Sequence, residues 1–231
     1  MVLQIDRHKN VLIGILKDVY TDNTIGPILG FKGGTAAYLF YELDRFSVDL
    51  DFDLIDAEKE EYVFERIEKI LTAYGKIKTK RRKHFTIFFE LSYGDEDHNV
   101  KVEINRRRFG STYEVTSYFG ISMKVMTRED MFANKIVAMY ERFGRTNRDI
   151  YDVWFFFQKN WHINKVIVEQ RTNMKFREFL ATCIEMLEKI PNRTILAGMG
   201  ELLDVKQKSW AKAKLKTEAL FFMKLMLSNE K

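Results

Sequence analysis

One cysteine and two prolines among 231 residues exclude several kinds of protein at once. A lone Cys183 cannot form an intrachain disulfide or a cysteine metal cluster, which favours the reducing cytosol. The sequence has no run of about 18 apolar residues, and its apolar start lacks the small-residue cleavage site of a signal peptide. We therefore expect a cytoplasmic protein that has no membrane partner.

Several familiar catalytic patterns are also missing. The four histidines show no metal-ligand spacing, and neither a Ser-His-Asp nor a Cys-His constellation can be assembled. No Gly-Lys-Ser/Thr run marks a P-loop, and no dinucleotide fingerprint is present. Hydrophobic residues make up 46% and charged residues 31% of the chain, which is typical of one or two globular domains. The net charge of +5 permits a polyanionic partner without requiring one.

Hydrophobic periodicity predicts a mixed first half and a helical second half. The first half favours helices at 4–20, 35–43 and 58–74 and strands at 26–31, 48–55, 84–93, 99–107 and 120–127. The turn 94–99 should join two of these strands into a hairpin. Later segments all favour helix, at 129–143, 147–159, 163–189, 194–204 and 210–227. We predict an α/β (α+β) fold with a mixed sheet flanked by helices over 1–126, followed by a helical domain over 127–231.

Three aspartates alternate along the strand predicted at 48–55. Asp49, Asp51 and Asp53 should share one face, about 6.5–7 Å apart between neighbours, because side chains alternate along a strand. Like charges this close are unfavourable unless a cation lies among them, and Mg²⁺ prefers such oxygen ligands. Asp49 and Asp53 would be about 13 Å apart, so a pair of ions cannot easily use all three. The alternative is a solvated face on an edge strand.

A third ligand can come from the sequence "KVEIN". Glu103 alternates with Val102 and Ile104, so its side chain should face away from that apolar pair. If this strand lies beside residues 49–54, Glu103 can complete the metal site, with Lys101 and Asn105 flanking it.

A glycine pair lies between a predicted strand and a predicted helix. Gly33 and Gly34 allow a ligand to approach the backbone, and the helix start after them offers free N–H groups to an anion. Thr35 could cap the helix or contact a phosphate. The alternative is a tight turn without a ligand. A phosphate here would lie beside metal on the next strand, an order that suits nucleoside triphosphate chemistry.

These residues resemble a known family. "KGGTAAYLFYELDRFSVDLDFDL" is similar to the first motif of the DNA polymerase β-like nucleotidyltransferases, and most similar to the AbiEii/AbiGii toxin family. "EDMFANKIVAMYERFGRTNRDIYDVWFF" resembles the lysine helix and Arg-Asp-x-x-Asp segment of that family. The two matches cover residues 28–54 and 129–157. No motif is matched over 160–231.

The resemblance implies a nucleotidyltransferase-type sheet and a helical region that closes over the nucleotide. It implies two Mg²⁺ ions, a nucleoside triphosphate substrate and transfer of its nucleoside monophosphate. It further implies the toxin of a toxin–antitoxin or abortive-infection system, with an RNA acceptor, tRNA among the options, and a cognate antitoxin. The implied catalytic residues are Asp49, Asp51, Glu103, Lys135 and Asp152, the first three as metal ligands, with Lys32, Gly33, Gly34, Thr35 and Arg148 binding nucleotide.

The second motif also has a physical interpretation. Lys135, Ala138 and Arg142 share one helix face, and a lysine aimed at the triphosphate would stabilise charge on the leaving pyrophosphate. Asp152 precedes an apolar run and should need a cationic partner. The alternative is that Arg148 and Asp152 form a purely structural ion pair.

Nine basic residues lie in two stretches, six at 76–83 and three at 106–108. They suggest a phosphate-binding surface for RNA. The alternative is a solvated helix end and hairpin rim. Two rival functions remain: a nucleotidyltransferase for a small molecule such as an antibiotic, and an inactive domain that binds nucleotide or RNA.

Overall fold

The computed structural model describes residues 4–94 and 99–230. The chain divides into two compact units, Met1–Thr127 and Arg128–Lys231. The predicted domains, 1–126 and 127–231, stay a prediction. Among the described residues, no helix is both long and apolar enough to cross a membrane.

A seven-stranded mixed sheet forms the centre of the first unit. Its spatial order is β3-β4-β5-β2-β1-β7-β6. The central strand β2 runs antiparallel to β1 and parallel to β5, and β1 runs parallel to β7. The two edge strands β3 and β6 form antiparallel pairs with β4 and β7. The strands are β1 Leu29–Lys32, β2 Leu50–Leu54, β3 Lys76–Arg82, β4 Thr86–Ser92, β5 Val100–Asn105, β6 Tyr113–Tyr118 and β7 Ile121–Met126.

Three α-helices belong to the same unit: α1 Ile5–Thr21, α2 Gly33–Phe40 and α3 Glu60–Thr72. Helix α3 buries Val63, Ile67 and Leu71, one residue per turn, as an amphipathic helix should. Strand β4 buries every second residue, which places Ile87, Phe89 and Leu91 on one face of the sheet. This alternation leaves the opposite face available for polar side chains.

The second unit is helical, as predicted. Nine consecutive residues of α5, from Asp149 to Phe157, are buried, so this helix is its core. Cys183 lies buried on α7, and burial raises the pKa of its thiol to about 12. The helices are α4 Arg128–Glu141, α5 Arg148–Gln158, α6 Lys165–Thr172, α7 Phe176–Lys189, α8 Val205–Trp210 and α9 Lys216–Asn229. A π-helical segment, Ala211–Leu215, connects the last two.

Four predicted or omitted elements need correction. Strand β3 was not predicted, because lysine or arginine occupies most of its positions and no apolar alternation appears. Strand β6 was not predicted either. The helix predicted at 163–189 is broken at Asn173, which adopts a left-handed conformation with φ of 56°. The helix predicted at 194–204 is a series of turns, in which Gly198 has φ of 76°.

The hairpin of β4 and β5 is confirmed. Residues 95–98 of its predicted turn lie outside the part of the chain that the structure describes.

Candidate active site

The carboxylates of β2 lie in the middle of the sheet. Strand β5 lies beside β2, and Glu103 is directly opposite Asp51 in the parallel register. On the other side of β2, Asp51 is opposite Lys32 of β1. Residues paired across strands share a face, so Asp51 and Glu103 bring two carboxylates together. The edge-strand alternative is wrong, because β2 is the fourth of seven strands.

Asp53 faces the same side but has a different environment. Lys32 Nζ lies 2.5 Å from Asp53 Oδ1, and the Tyr113 hydroxyl donates to Asp53 Oδ2 at 2.6 Å. Gly30 is opposite Asp53, and a Cβ there would lie 2.2 Å from the Tyr113 ring. Asp53 therefore joins β1, β2 and β6, which explains the third aspartate that the sequence left unexplained. The same contact occupies Lys32, whose predicted role in nucleotide binding stays a prediction.

Gly33 packs directly against Asp51. It has φ of 82°, and a Cβ at this position would lie 2.3 Å from Asp51 Oδ2. Glycine is therefore required both by the backbone conformation and by the space. Within the described residues, Asp51 has no hydrogen bond or ion pair to another side chain.

The start of α2 is fixed to the start of β2. The buried Thr35 hydroxyl donates to the backbone carbonyl of Asp49. A Cβ on Gly34 would lie 2.7 Å from Ser47 Oγ and 3.1 Å from the guanidinium of Arg45. Arg45 is only 2% exposed and donates to the Phe46 carbonyl at 2.9 Å. A buried cation thus lies beneath the glycine pair, a feature that we did not predict although Arg45 and Ser47 stand inside the first motif.

The donor set fits a hard cation, since carboxylate oxygens are the ligands that Mg²⁺ prefers. Asp51 and Glu103 are adjacent, and Asp49 precedes β2 by one residue. As their side chains stand, no three histidine, cysteine, aspartate or glutamate residues in the described ranges form a group that could hold a metal. Asp49, Asp51 and Glu103 as a complete ligand set therefore stay a prediction.

In the helical unit, the second motif forms a buried ion-pair cluster. Lys135 Nζ lies 2.7 Å from Asp152 Oδ2 and 3.2 Å from Asp149 Oδ1. Arg142 adds a contact of 3.3 Å to Asp149 Oδ2. Both aspartates are fully buried, whereas the Lys135 side chain is 11% exposed. The alternative pairing of Asp152 with Arg148 is replaced by this pairing with Lys135, and the roles of Lys135, Asp152 and Arg148 toward nucleotide stay predictions.

The two basic stretches are only partly neutralised. Lys80 pairs with Glu68 at 2.6 Å, Arg82 pairs with Glu61, and Arg106 pairs with Glu60 at 2.6 Å. The hydrogen bond from Arg82 lowers the pKa of Glu61. The first stretch is an edge strand and a turn, not the helix end that the alternative supposed.

Comparisons with known proteins identify the family of this chain and a shared fold. A family profile described as "Nucleotidyl transferase AbiEii toxin, Type IV TA system" matches residues 15–218. Among solved structures, a nucleotidyltransferase candidate from H. pylori has a TM-score of 0.64 and 21% identity over 100% of both chains. JHP933 from Helicobacter pylori has a TM-score of 0.59 and 21% identity over 98% of this chain and 94% of that chain.

A third similar structure is the antibiotic-resistance factor ANT(2'')-Ia, with a TM-score of 0.52. It is 11% identical over 81% of this chain and 100% of that chain. At these identities the three structures show a shared fold alone. A search of curated proteins finds no match.

Proposed function

We propose that this chain, which belongs to the AbiEii family of nucleotidyl transferase toxins from type IV toxin–antitoxin systems, transfers a nucleoside monophosphate from a nucleoside triphosphate to RNA. The family assignment confirms the resemblance of both sequence motifs and makes the chain a nucleotidyltransferase. The observation that carries the proposal is the register of Asp51 against Glu103 in the middle of the sheet. Two carboxylates on neighbouring strands suit a cation-dependent reaction of phosphate groups.

Asp49, Asp51 and Glu103 would hold two Mg²⁺ ions. When bound, the ions would supply Lewis acidity to the phosphate groups. In the reaction, an acceptor hydroxyl oxygen attacks the α-phosphorus and the bond to pyrophosphate breaks. The Glu103 carboxylate would accept the proton that the hydroxyl loses.

The triphosphate would lie at the start of α2. The first N–H groups of a helix lack intrahelical acceptors, so Gly33, Gly34 and Thr35 can each offer a backbone donor to phosphate. Because the Thr35 hydroxyl already donates to Asp49, we assign its contribution to the main chain. Buried Arg45 adds positive charge beneath these groups.

By resemblance, Lys32 and Arg148 would bind nucleotide, and Lys135 and Asp152 would act in catalysis. Asp149 and Asp152 would fix the position of the Lys135 ammonium. The Lys135 side chain is partly exposed, whereas both aspartates are buried. A positioned ammonium would then stabilise the charge that develops on pyrophosphate.

An RNA acceptor is supported by basic residues, Lys83 and Arg107 among them, that pair with no carboxylate in the part of the chain that the structure describes. A toxin of this family implies a cognate antitoxin. Free nucleoside triphosphate and RNA both occur in the cytosol, and a buried reduced Cys183 is compatible with that compartment.

Label transfer tests the proposal. Purified protein is incubated with Mg²⁺, total cellular RNA and each α-labelled nucleoside triphosphate in turn, beside the Asp49→Ala/Asp51→Ala variant. We expect label in one RNA size class with the wild type and none with the variant. Adding EDTA should abolish the transfer, and excess Mg²⁺ should restore it.

Other outcomes would contradict parts of the proposal. Label that reaches a small-molecule or protein acceptor but no RNA would overturn the acceptor class. RNA binding without turnover under any triphosphate would support an inactive binding domain. Full activity of the Asp49→Ala/Asp51→Ala variant would overturn the site.

A further inference from the structure

Aromatic and basic side chains alternate at one end of β4 and β5. Phe85, the last residue of the three-residue turn between β3 and β4, is 47% exposed. The Arg107 guanidinium lies 5.2 Å from the Phe85 ring centre and 5.5 Å from that of Phe109. Lys83 Nζ lies 4.4 Å from the ring centre of Phe88. We call Lys83, Phe85, Phe88, Arg107 and Phe109 the aromatic–cation patch.

The turn that presents Phe85 is held in place. Lys83 N donates to the Thr86 carbonyl at 2.8 Å, and Arg106 N donates to the Phe85 carbonyl at 2.9 Å. The Arg106 side chain donates to the Lys83 and His84 carbonyls and pairs with Glu60. An exposed aromatic ring on a fixed turn is pre-organised, so a ligand would lose little conformational entropy on stacking against it.

The cations of the patch differ from their neighbours. Lys80, Arg82 and Arg106 each have a carboxylate partner on α3. Within residues 4–94 and 99–230, Lys83 and Arg107 have aromatic partners and no carboxylate within ion-pair distance. Their positive charge is therefore available to an anionic ligand.

The patch adjoins the carboxylates of the candidate active site. Phe88 is directly opposite Glu103, and Thr86 is opposite Asn105. Phe88 therefore shares the face of the sheet on which Glu103 and Asp51 lie. Arg107 follows Glu103 by four residues along the chain, just beyond the end of β5.

We infer that the aromatic–cation patch binds an unpaired segment of the RNA acceptor, with a base stacked on Phe85 and phosphates beside Arg107 and Lys83. Every base has a π-face, and sites for single strands combine such stacking platforms with cations along the backbone. Duplex RNA fits less well, because its stacked bases present no free face to Phe85. The inference rests on the proposed function and adds that the acceptor end is single-stranded at this site.

Fluorescence anisotropy with a labelled single-stranded oligoribonucleotide tests the inference. Phe85→Ala should weaken binding by about 5- to 150-fold, the range found for loss of one stacked base. Phe85→Trp should retain binding, because it keeps a stacking surface. Arg107→Gln should reduce the slope of log affinity against log salt by about 0.7, one phosphate contact on a single strand.

The matched control is Phe119→Ala. Phe119 is 79% exposed in the turn between β6 and β7, at the opposite edge of the same sheet. We expect the Phe119→Ala variant to bind RNA as tightly as the wild type. Binding of a blunt RNA duplex should be insensitive to both alanine variants.

The outcomes separate this inference from the proposed function. If Phe85→Ala binds and labels RNA as the wild type does, the role of the aromatic–cation patch is overturned while the proposed function stands. A wild type that binds no RNA yet transfers nucleotide to another acceptor would overturn both. Equal losses in Phe85→Ala and Phe119→Ala would show a general effect of exposed aromatics and would also overturn the patch.

Discussion

The buried carboxylates of the helical unit have cationic partners, whereas Asp51 in the sheet has none among the described residues. In the helical unit, the buried Asp149 and Asp152 share Lys135, and Arg142 adds to the pair at Asp149. In the sheet, Asp51 lies against Gly33 and beside Glu103, without an ion pair to any described residue. Two residues along the same strand, Asp53 has both Lys32 and Tyr113. Removing the cation from a buried ion pair leaves an uncompensated charge and is destabilising. A carboxylate left beside another carboxylate is instead suited to a cation that arrives with substrate.

Asn substitutions at Asp51 and Asp53 should separate these two roles. Asp51→Asn should lower nucleotidyl transfer by about 1000-fold, because a metal ligand contributes several kcal/mol to the transition state. Its free energy of unfolding should stay near that of the wild type. Asp53→Asn should cost about 1.5–3 kcal/mol of stability, since charged hydrogen bonds are lost. Transfer assays and urea unfolding measure the two effects, and equal activity losses in both variants would contradict the distinction.

Lys135→Met tests the buried cluster. The substitution leaves Asp149 and Asp152 buried with less compensating charge, so unfolding free energy should fall by about 3–5 kcal/mol. Lys165→Met is the matched control in the same unit, because Lys165 pairs with Glu230 at 2.5 Å but is 50% exposed. That surface pair should be worth at most about 1 kcal/mol. Similar losses of unfolding free energy in both variants would contradict a larger stability contribution from the buried cluster than from the surface pair.

The comparison also shows what sequence can predict. Alternation along β2 placed Asp51 and Asp53 on one face, and the family resemblance identified both motifs. Asp53 differs from Asp51 because Lys32 and Tyr113, which lie on other strands, contact Asp53. Tyr113 belongs to β6, a strand that local pattern did not predict, so this contact could not be foreseen.

Strand β3 was also not predicted, and here the reason is its charge. Strand β3 carries basic side chains at most positions. It is an edge strand paired with β4, so its position is fixed by hydrogen bonds to that neighbour. Its turn presents Phe85, a residue that no motif singled out. The sequence signal for Phe85 was its position as an aromatic residue next to the basic stretch 76–83.

The smallest expected effect is the pH dependence of stability that Asp22 contributes through the hydrogen bonds that it accepts from Thr24 and Arg66. Burial alone would raise the pKa of Asp22, but hydrogen bonds from Thr24 and Arg66 bring it from 3.8 to about 2. A lowered folded-state pKa stabilises the protein above about pH 4, and this contribution is lost as the pH falls through about 2. The difference in unfolding free energy between wild type and Asp22→Asn should therefore shrink over that window. A difference that stays constant from pH 5 to pH 2, measured by urea unfolding, would contradict this assignment.

The most direct measurement of the central claim compares Glu103→Gln with Glu114→Gln in the label-transfer assay. Both variants exchange one strand glutamate for its amide, but Glu103 lies opposite Asp51 whereas Glu114 is exposed on the edge strand β6. Our account predicts that Glu103→Gln loses transfer while Glu114→Gln keeps the wild-type rate. A Glu103→Gln protein that transfers nucleotide at the wild-type rate would contradict the account.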